Sequence, residues 1–243
     1  MSIWGKLLGG AAGFAFGGPL GAMFGGLAGH AVDRIRGEDT NGARDGTKQI
    51  AFTIGVIVLG AKMAKADGVV TRDEVDAFRD VFHVPEDELK NVARVFDMAR
   101  RDSGGYEPYA RQIARLFADN PQVLEDLLAG LIHIAKADNV IHPSELEYLR
   151  GVAEIFGFDE TGFNRIRAMY LAPDPDDPYT VLGLAHDADD DQVKSHYRNL
   201  IRENHPDRAM ANGLPEEFVD LANEKMAAIN AAYERIAKQR GLN

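Results

Sequence analysis

The sequence predicts an all-α chain: an N-terminal glycine-striped transmembrane helix, a helical bundle and a C-terminal helical hairpin. A run from Leu7 to Val32 holds no charged residue and carries glycine at every fourth position. Residues 48–171 place apolar side chains at helical spacing and repeat one turn pattern. Residues 178–243 set two helical patterns on either side of Asn204-His205-Pro206-Asp207-Arg208.

Composition narrows the function. The 243 residues suffice for one large domain or two small ones with extensions, and 45% hydrophobic content can build buried cores. A net charge of −11 argues against a general nucleic-acid-binding surface. There is no cysteine, so disulfides and thiolate chemistry are excluded.

Residues 1–36 read as a membrane segment. As a helix, Leu7 to Val32 would reach roughly 39 Å, enough for a bilayer core of about 30 Å. Gly5, Gly9, Gly13, Gly17, Gly21, Gly25 and Gly29 would line one face, smooth enough for another helix to approach closely. In water each glycine weakens a helix by up to about 1 kcal/mol against alanine. In lipid an unpaired backbone group costs more than that, and helix is the available answer. Trp4 and Lys6 suit one interface, and Arg34 and Arg36 the other. With Arg44 and Lys48 they favour a cytoplasmic C-terminal side. A cleaved signal peptide also fits the segment, as does a glycine-rich tail or peripheral hairpin, because glycine is only weakly hydrophobic.

Residues 37–47 read as a polar linker. Ile50–Ala61, closed by Lys48 and Lys62, is too short to span a membrane and reads as a buried core helix. The region that follows contains a repeat. Ala64-Lys65-Ala66-Asp67-Gly68-Val69-Val70 matches Ala135-Lys136-Ala137-Asp138-Asn139-Val140-Ile141. Each copy ends a helix, turns at Gly68 or Asn139, and starts another. Thr71-x-x-Glu74 is a capping box, and His142 takes the same cap position ahead of Pro143. Leu89, Val92, Ala93 and Phe96 form one stripe, and Ile113, Leu116 and Phe117 another. After Pro121, Val123 to Ala137 is strongly apolar. Residues 48–171 thus read as a pseudo-twofold helical bundle. Residues 172–177 form an acidic, proline-rich linker expected to hold the C-terminal part off the bundle.

In the last part Asp189-x-x-Gln192 is a capping signature, and Val193, Tyr197, Leu200 and Ile201 make one apolar stripe. Lys194, Arg198 and Arg202 share a second, cationic face. Pro206 disfavours helix at His205, so this helix stops near Asn204 and His205-Pro206-Asp207 opens a loop. A further helix then carries Phe218, Leu221, Ala222, Met226, Ile229, Tyr233 and Ile236 at helical spacing.

Residues 177–238 resemble the J domain of DnaJ-type co-chaperones. The resemblance rests on Pro178-Tyr179-x-Val181-Leu182-Gly183-Leu184, Tyr197-Arg198-x-Leu200, His205-Pro206-Asp207 and Ile229-Asn230-x-Ala232-Tyr233-Glu234, in that order. It implies docking on an ATP-dependent chaperone of the DnaK type and acceleration of that partner's ATP hydrolysis. By motif position, Lys194, Tyr197 and Arg198 would meet an acidic surface. His205 and Pro206 would shape the corner, and Asp207 would pair with a cation on the partner. Asn199 and Asn204 depart from the family, where a second basic residue and an aromatic are common.

The doubled Ala-Lys-Ala-Asp pattern resembles the TerB-like domain. That resemblance makes Asp67, Glu74, Asp138 and Glu145 candidate metal ligands. A calcium loop does not fit, because its first and third ligand positions would be Met63 and Lys65. The plainer reading has the two aspartates bonding turn amides and the two glutamates capping helices. The order of all three parts resembles the DjlA-like family of membrane-anchored DnaK co-chaperones of Gram-negative bacteria. It implies dimerisation through the N-terminal span, which the glycine stripe permits. No cofactor is expected. No arrangement of nucleophile, base and pocket marks an enzyme. The other functional reading is a metal- or stress-sensing TerB-like module with an accessory J domain.

Full-length protein should fractionate with membranes, and a chain lacking residues 1–36 should remain soluble; equal fractionation removes the membrane reading. Calorimetry with divalent metals should show no binding that Asp67→Asn or Asp138→Asn abolishes; tight binding lost in either variant would favour the metal module.

Overall fold

A computed structural model of the chain describes residues 18–25, 40–67, 79, 84–86, 88–136, 141–171, 177–212 and 214–242. Among the described residues there is no strand, in agreement with the all-α expectation. Of the glycine-striped segment, helix α1 (Gly18–Gly25) is described, entered at Gly18 with φ of 60°. Among the described residues no helix is long and apolar enough to cross a membrane. The rest of the Leu7–Val32 run lies outside them.

Helix α2 (Thr40–Asp67) is the axis of the bundle. Every residue from Ala51 to Ala64 is buried, as expected for the Ile50–Ala61 run. The expected linker over 37–47 is corrected over residues 40–47, which belong to α2; residues 37–39 lie outside the described residues. Once the buried run has nucleated a helix, each added residue gains a backbone hydrogen bond at little cost.

Helices α3 (Leu89–Arg101), α4 (Glu107–Leu116), α5 (Pro121–Ala135), α6 (Pro143–Ile155) and α7 (Glu160–Leu171) complete the bundle. Gly55 lets α4 approach closely, since a Cβ there would meet Ile113 Cδ1 at 2.9 Å. Two stripes shift by a residue. In α3 the buried set includes Val92, Val95 and Ala99, while Ala93 is exposed. In the other, Ile113 and Phe117 are buried and Leu116 is exposed. Sequence spacing defines a stripe, but the position of α2 selects which neighbouring stripe is covered.

One buried cation organises the turn after α3. Lys62, 3% exposed at its side chain, donates to Asp102 Oδ2 at 2.7 Å, Asp102 O at 3.0 Å and Gly104 O at 2.7 Å. Tyr109 Oη donates to the same carboxylate oxygen at 3.0 Å. Phe117 meets Phe52 edge-on at 6.4 Å, under the end of α4.

In the second copy of the repeat, His142 is the extended N-cap of α6 with Pro143 at the first helical position, as expected. The His142 amide donates to Glu145 Oε2 at 2.8 Å. Gly68–Glu74 and Ala137–Val140 lie outside the described residues.

The C-terminal part comprises α8 (Pro178–Leu182), α9 (Asp190–Glu203), α10 (Pro206–Ala211) and α11 (Val219–Arg240). Asp177 caps α8 by accepting from the amides of Tyr179 and Thr180 at 3.0 and 3.2 Å. Gly183 ends it at φ 70°, which a side chain rarely adopts. Asp189 and Gln192 form the reciprocal capping box. Two expectations are corrected. His205-Pro206-Asp207 opens the short helix α10, because Pro206 is preorganised for a first helical position. The hairpin is not held off the bundle. Phe218 meets Phe52 edge-on at 4.6 Å, and Lys225 reaches α5. The first half of α11 carries apolar residues that the small hairpin cannot cover by itself, and the bundle covers them.

Lys62→Met should lower stability by about 2 kcal/mol, the worth of a charged hydrogen-bond set, read by denaturant unfolding. The Lys62 hydrogen bond, outweighing partial burial, holds the Asp102 carboxyl below its ordinary range. The Asp102 contribution is therefore complete above about pH 4 and lost as pH falls through the depressed value. Lys62→Met should flatten that acid limb, and an unaltered limb would discount the pair.

Candidate partner-binding site

The candidate site is the outer face of α9 together with the corner that follows it. The capping box starts α9, and Val193 and Leu200 turn inward. His196 Nε2 bonds Leu182 O at 2.7 Å, so α9 is tied to the end of α8. Arg240 closes the other side. Its guanidinium donates to Tyr179 Oη at 2.7 Å, Ala188 O at 2.6 Å and His186 O at 3.0 Å.

With the inner face fixed, Arg198 and Arg202 stand exposed and Lys194 is half-buried. Arg202 Nη2 donates to Asn199 Oδ1 at 2.7 Å, so the asparagine at the departing position steadies a cation. Tyr197 is placed differently from its neighbours. Its ring stacks on Tyr233 at 3.9 Å and 10°, and its hydroxyl donates to Asn230 Oδ1 at 2.9 Å. Burial pushes its phenol pKa up, with Tyr233 and Glu234 adding to the effect. It joins α9 to α11 while leaving part of its ring at the surface.

Asn204 ends α9. It is 3% exposed, and its Nδ2 donates to Leu200 O at 2.7 Å. A buried amide thus occupies the position where the family resemblance implies an aromatic. His205 is extended at φ −62° and ψ 132°, the geometry its following proline demands. The His205 Nδ1 accepts from the Asp207 amide at 3.3 Å and lies 3.7 Å from the Asp207 carboxylate. In the neutral ring that acceptor role places the proton on Nε2. The His205 and Asp207 side chains are 54% and 83% exposed.

The structure therefore places Lys194, Tyr197 and Arg198 along α9 and His205, Pro206 and Asp207 at the corner after its C-terminal end. Of the candidate metal set, only the Glu145 side chain is among the described residues. The side chains of Asp67, Glu74 and Asp138 lie outside the described residues. Glu145 is buried and accepts from the His142 amide. Among the described residues no group of three or more histidine, aspartate or glutamate side chains could hold a metal.

Sequence reasoning missed Arg240 and the ion pairs at Lys225. The signal for Lys225 was available, as a lone cation inside the apolar stripe of α11. The signal for its partners was the pair Glu125-Asp126 inside an otherwise apolar helix.

Comparison with known proteins bears on all three parts. Residues 1–50 match the co-chaperone DjlA transmembrane domain, residues 53–168 the tellurite resistance protein TerB family, and residues 177–240 the DnaJ domain. Similar full-length relatives are named co-chaperone protein DjlA. That of Photobacterium profundum is 31% identical over 98% of this chain and 99% of its own. That of Coxiella burnetii is 32% identical over the whole of both chains. That of Vibrio cholerae is 29% identical, also over both whole chains. No solved structure matches. These relatives are co-chaperones rather than enzymes, in agreement with the absence of catalytic motifs. With the membrane-domain, TerB and DnaJ matches in one order and relatives aligned from end to end, the chain belongs to the DjlA co-chaperone family.

Proposed function

We propose that the chain stimulates ATP hydrolysis by a DnaK-type chaperone, using the outer face of α9 and the His205-Pro206-Asp207 corner. The observation that carries this reading is the joint exposure of Arg198, His205 and Asp207 on a scaffold whose inner face is fully tied down. In this reading Lys194 and Arg198 meet an acidic surface of the partner, and Tyr197 supports them from below. Charges matched across such an interface chiefly raise encounter rate and set specificity. Asp207 reaches a cation on the partner, while the His205 ring holds the first turn of α10 in place. Pro206 limits how far the corner can flex.

The match to the DjlA transmembrane domain supports membrane tethering. The finer topology we infer is a single pass with residues after Arg36 in the cytoplasm, where a DnaK-type partner is found. Pairing of two copies along the glycine stripe is the oligomeric form this anchor supports.

Full-length protein in detergent should accelerate single-turnover ATP hydrolysis by DnaK. His205→Gln and Asp207→Asn should each reduce that acceleration at least about tenfold, the loss expected when a buried charged contact fails to form across an interface. Arg198→Ala should raise the half-maximal concentration and weaken its salt dependence. Undiminished stimulation by Asp207→Asn would remove the corner from the mechanism.

A further inference from the structure

The seam between hairpin and bundle holds a buried ion cluster. Along α11 the covered stripe runs through Leu221, Lys225, Ile229, Ala232 and Ile236, and Lys225 is its charged member. Lys225 is 1% exposed. Its Nζ lies 2.9 Å from Glu125 Oε1 and donates to Asp126 Oδ1 at 2.9 Å. The second oxygen of Glu125 accepts from Arg165 Nη2 at 2.6 Å. The acids come from α5, Arg165 from α7 and Lys225 from α11, so the charges balance only when the hairpin is seated. Burial opposes ionisation of Glu125, but Lys225 and Arg165 outweigh it and hold its carboxyl well below the ordinary range. Burial raises Asp126, with Lys225 offsetting part of that rise. Nearby, the Tyr170 hydroxyl is buried without a hydrogen-bond partner among the described residues, and His133 faces Glu224 across the same seam at 3.7 Å.

Apolar contact alone would not define one orientation here, because hydrophobic burial is non-directional. A buried ion cluster behaves differently. Its desolvation nearly cancels its attraction, so it adds little net stability, yet any orientation that separates the partners strands a buried charge.

We propose that Lys225, held by Glu125 and Asp126, is a positioning residue that seats the J hairpin on the bundle in one orientation. The α9 face and the bundle then reach the chaperone partner as one rigid body. The seating stands on the geometry alone; its effect on the partner rests on the function proposed above. A fixed orientation spares the encounter the ordering of two loosely joined parts.

The chain has no cysteine, so cysteines introduced at the exposed positions Glu147 and Glu234 are unique label sites. Pulsed dipolar spectroscopy on the spin-labelled full-length protein should give one narrow distance between α6 and α11. Lys225→Met should broaden it, and Lys225→Arg should restore a single narrow distance. The triple variant Glu125→Gln, Asp126→Asn, Lys225→Met, which removes every charge of the cluster except the partly exposed Arg165, should keep the fold by circular dichroism and still broaden the distance. If only about a tenth of molecules then remain aligned, the half-maximal concentration for DnaK stimulation rises about tenfold with the maximum unchanged. A narrow distance in the triple variant overturns the proposal, as does its unfolding, since the cluster is assigned to orientation and not stability. A broadened distance with an unaltered half-maximal concentration overturns the link to the partner. Asp207→Asn should lose stimulation while keeping the narrow distance. If the parent protein fails to stimulate at all, the functional reading falls and the distance result still judges the seating.

Discussion

Burial of helix α2 is the constraint from which the rest of the structure follows. From Ala51 to Ala64 every residue is buried, so helices must cover it on every side. Phe52 shows how far this reaches. Its ring meets Phe117 of the bundle and Phe218 of the hairpin, both edge-on. Burying one such side chain is worth about 2 kcal/mol, and the edge contacts add to it. A single aromatic residue of the central helix is therefore shared by two parts that the sequence separates by a linker. The buried amine of Lys62 applies the same demand in polar form, since it must find oxygens, and the turn at Asp102 and Gly104 supplies them.

The hairpin divides its surface between two tasks. The inner faces of α8, α9 and α11 are spent on fixing one another, through Arg240, the Tyr197–Tyr233 stack and His196. The outer face of α9 is left free, and its charges are those a partner would read. The first half of α11 turns toward the bundle, where Lys225 joins Glu125 and Asp126. Among the described residues the bundle covers one side of the J hairpin and leaves Arg198 and Arg202 exposed. A partner approaching α9 therefore meets no obstruction from the bundle contacts described.

Much of the site was legible because its determinants are local. Proline sets the backbone of the residue before it, so His205 had to be extended. Asp189 and Gln192 cap by a three-residue reach, and Gly183 was the evident stop of α8. Tyr197 was less legible. Its helical face was clear, but its stack on Tyr233 depends on how two helices pair. The metal candidates illustrate the opposite limit. A repeat brings acids to equivalent positions without saying whether their side chains converge, and Glu145 turns back to its own helix cap.

By itself the sequence determined the apolar spacing of the bundle and hairpin helices, the stop of α9, the extended residue before Pro206 and the cationic face, because spacing, capping and backbone restriction act within a few residues. Tertiary structure alone decided that residues 40–46 extend α2, that Val95 and not Ala93 is covered, and that the hairpin sits on the bundle. Those outcomes depend on which surfaces meet across long stretches of chain. A lone lysine in an apolar stripe does not reveal the acids, one hundred residues away on another helix, that make its burial possible.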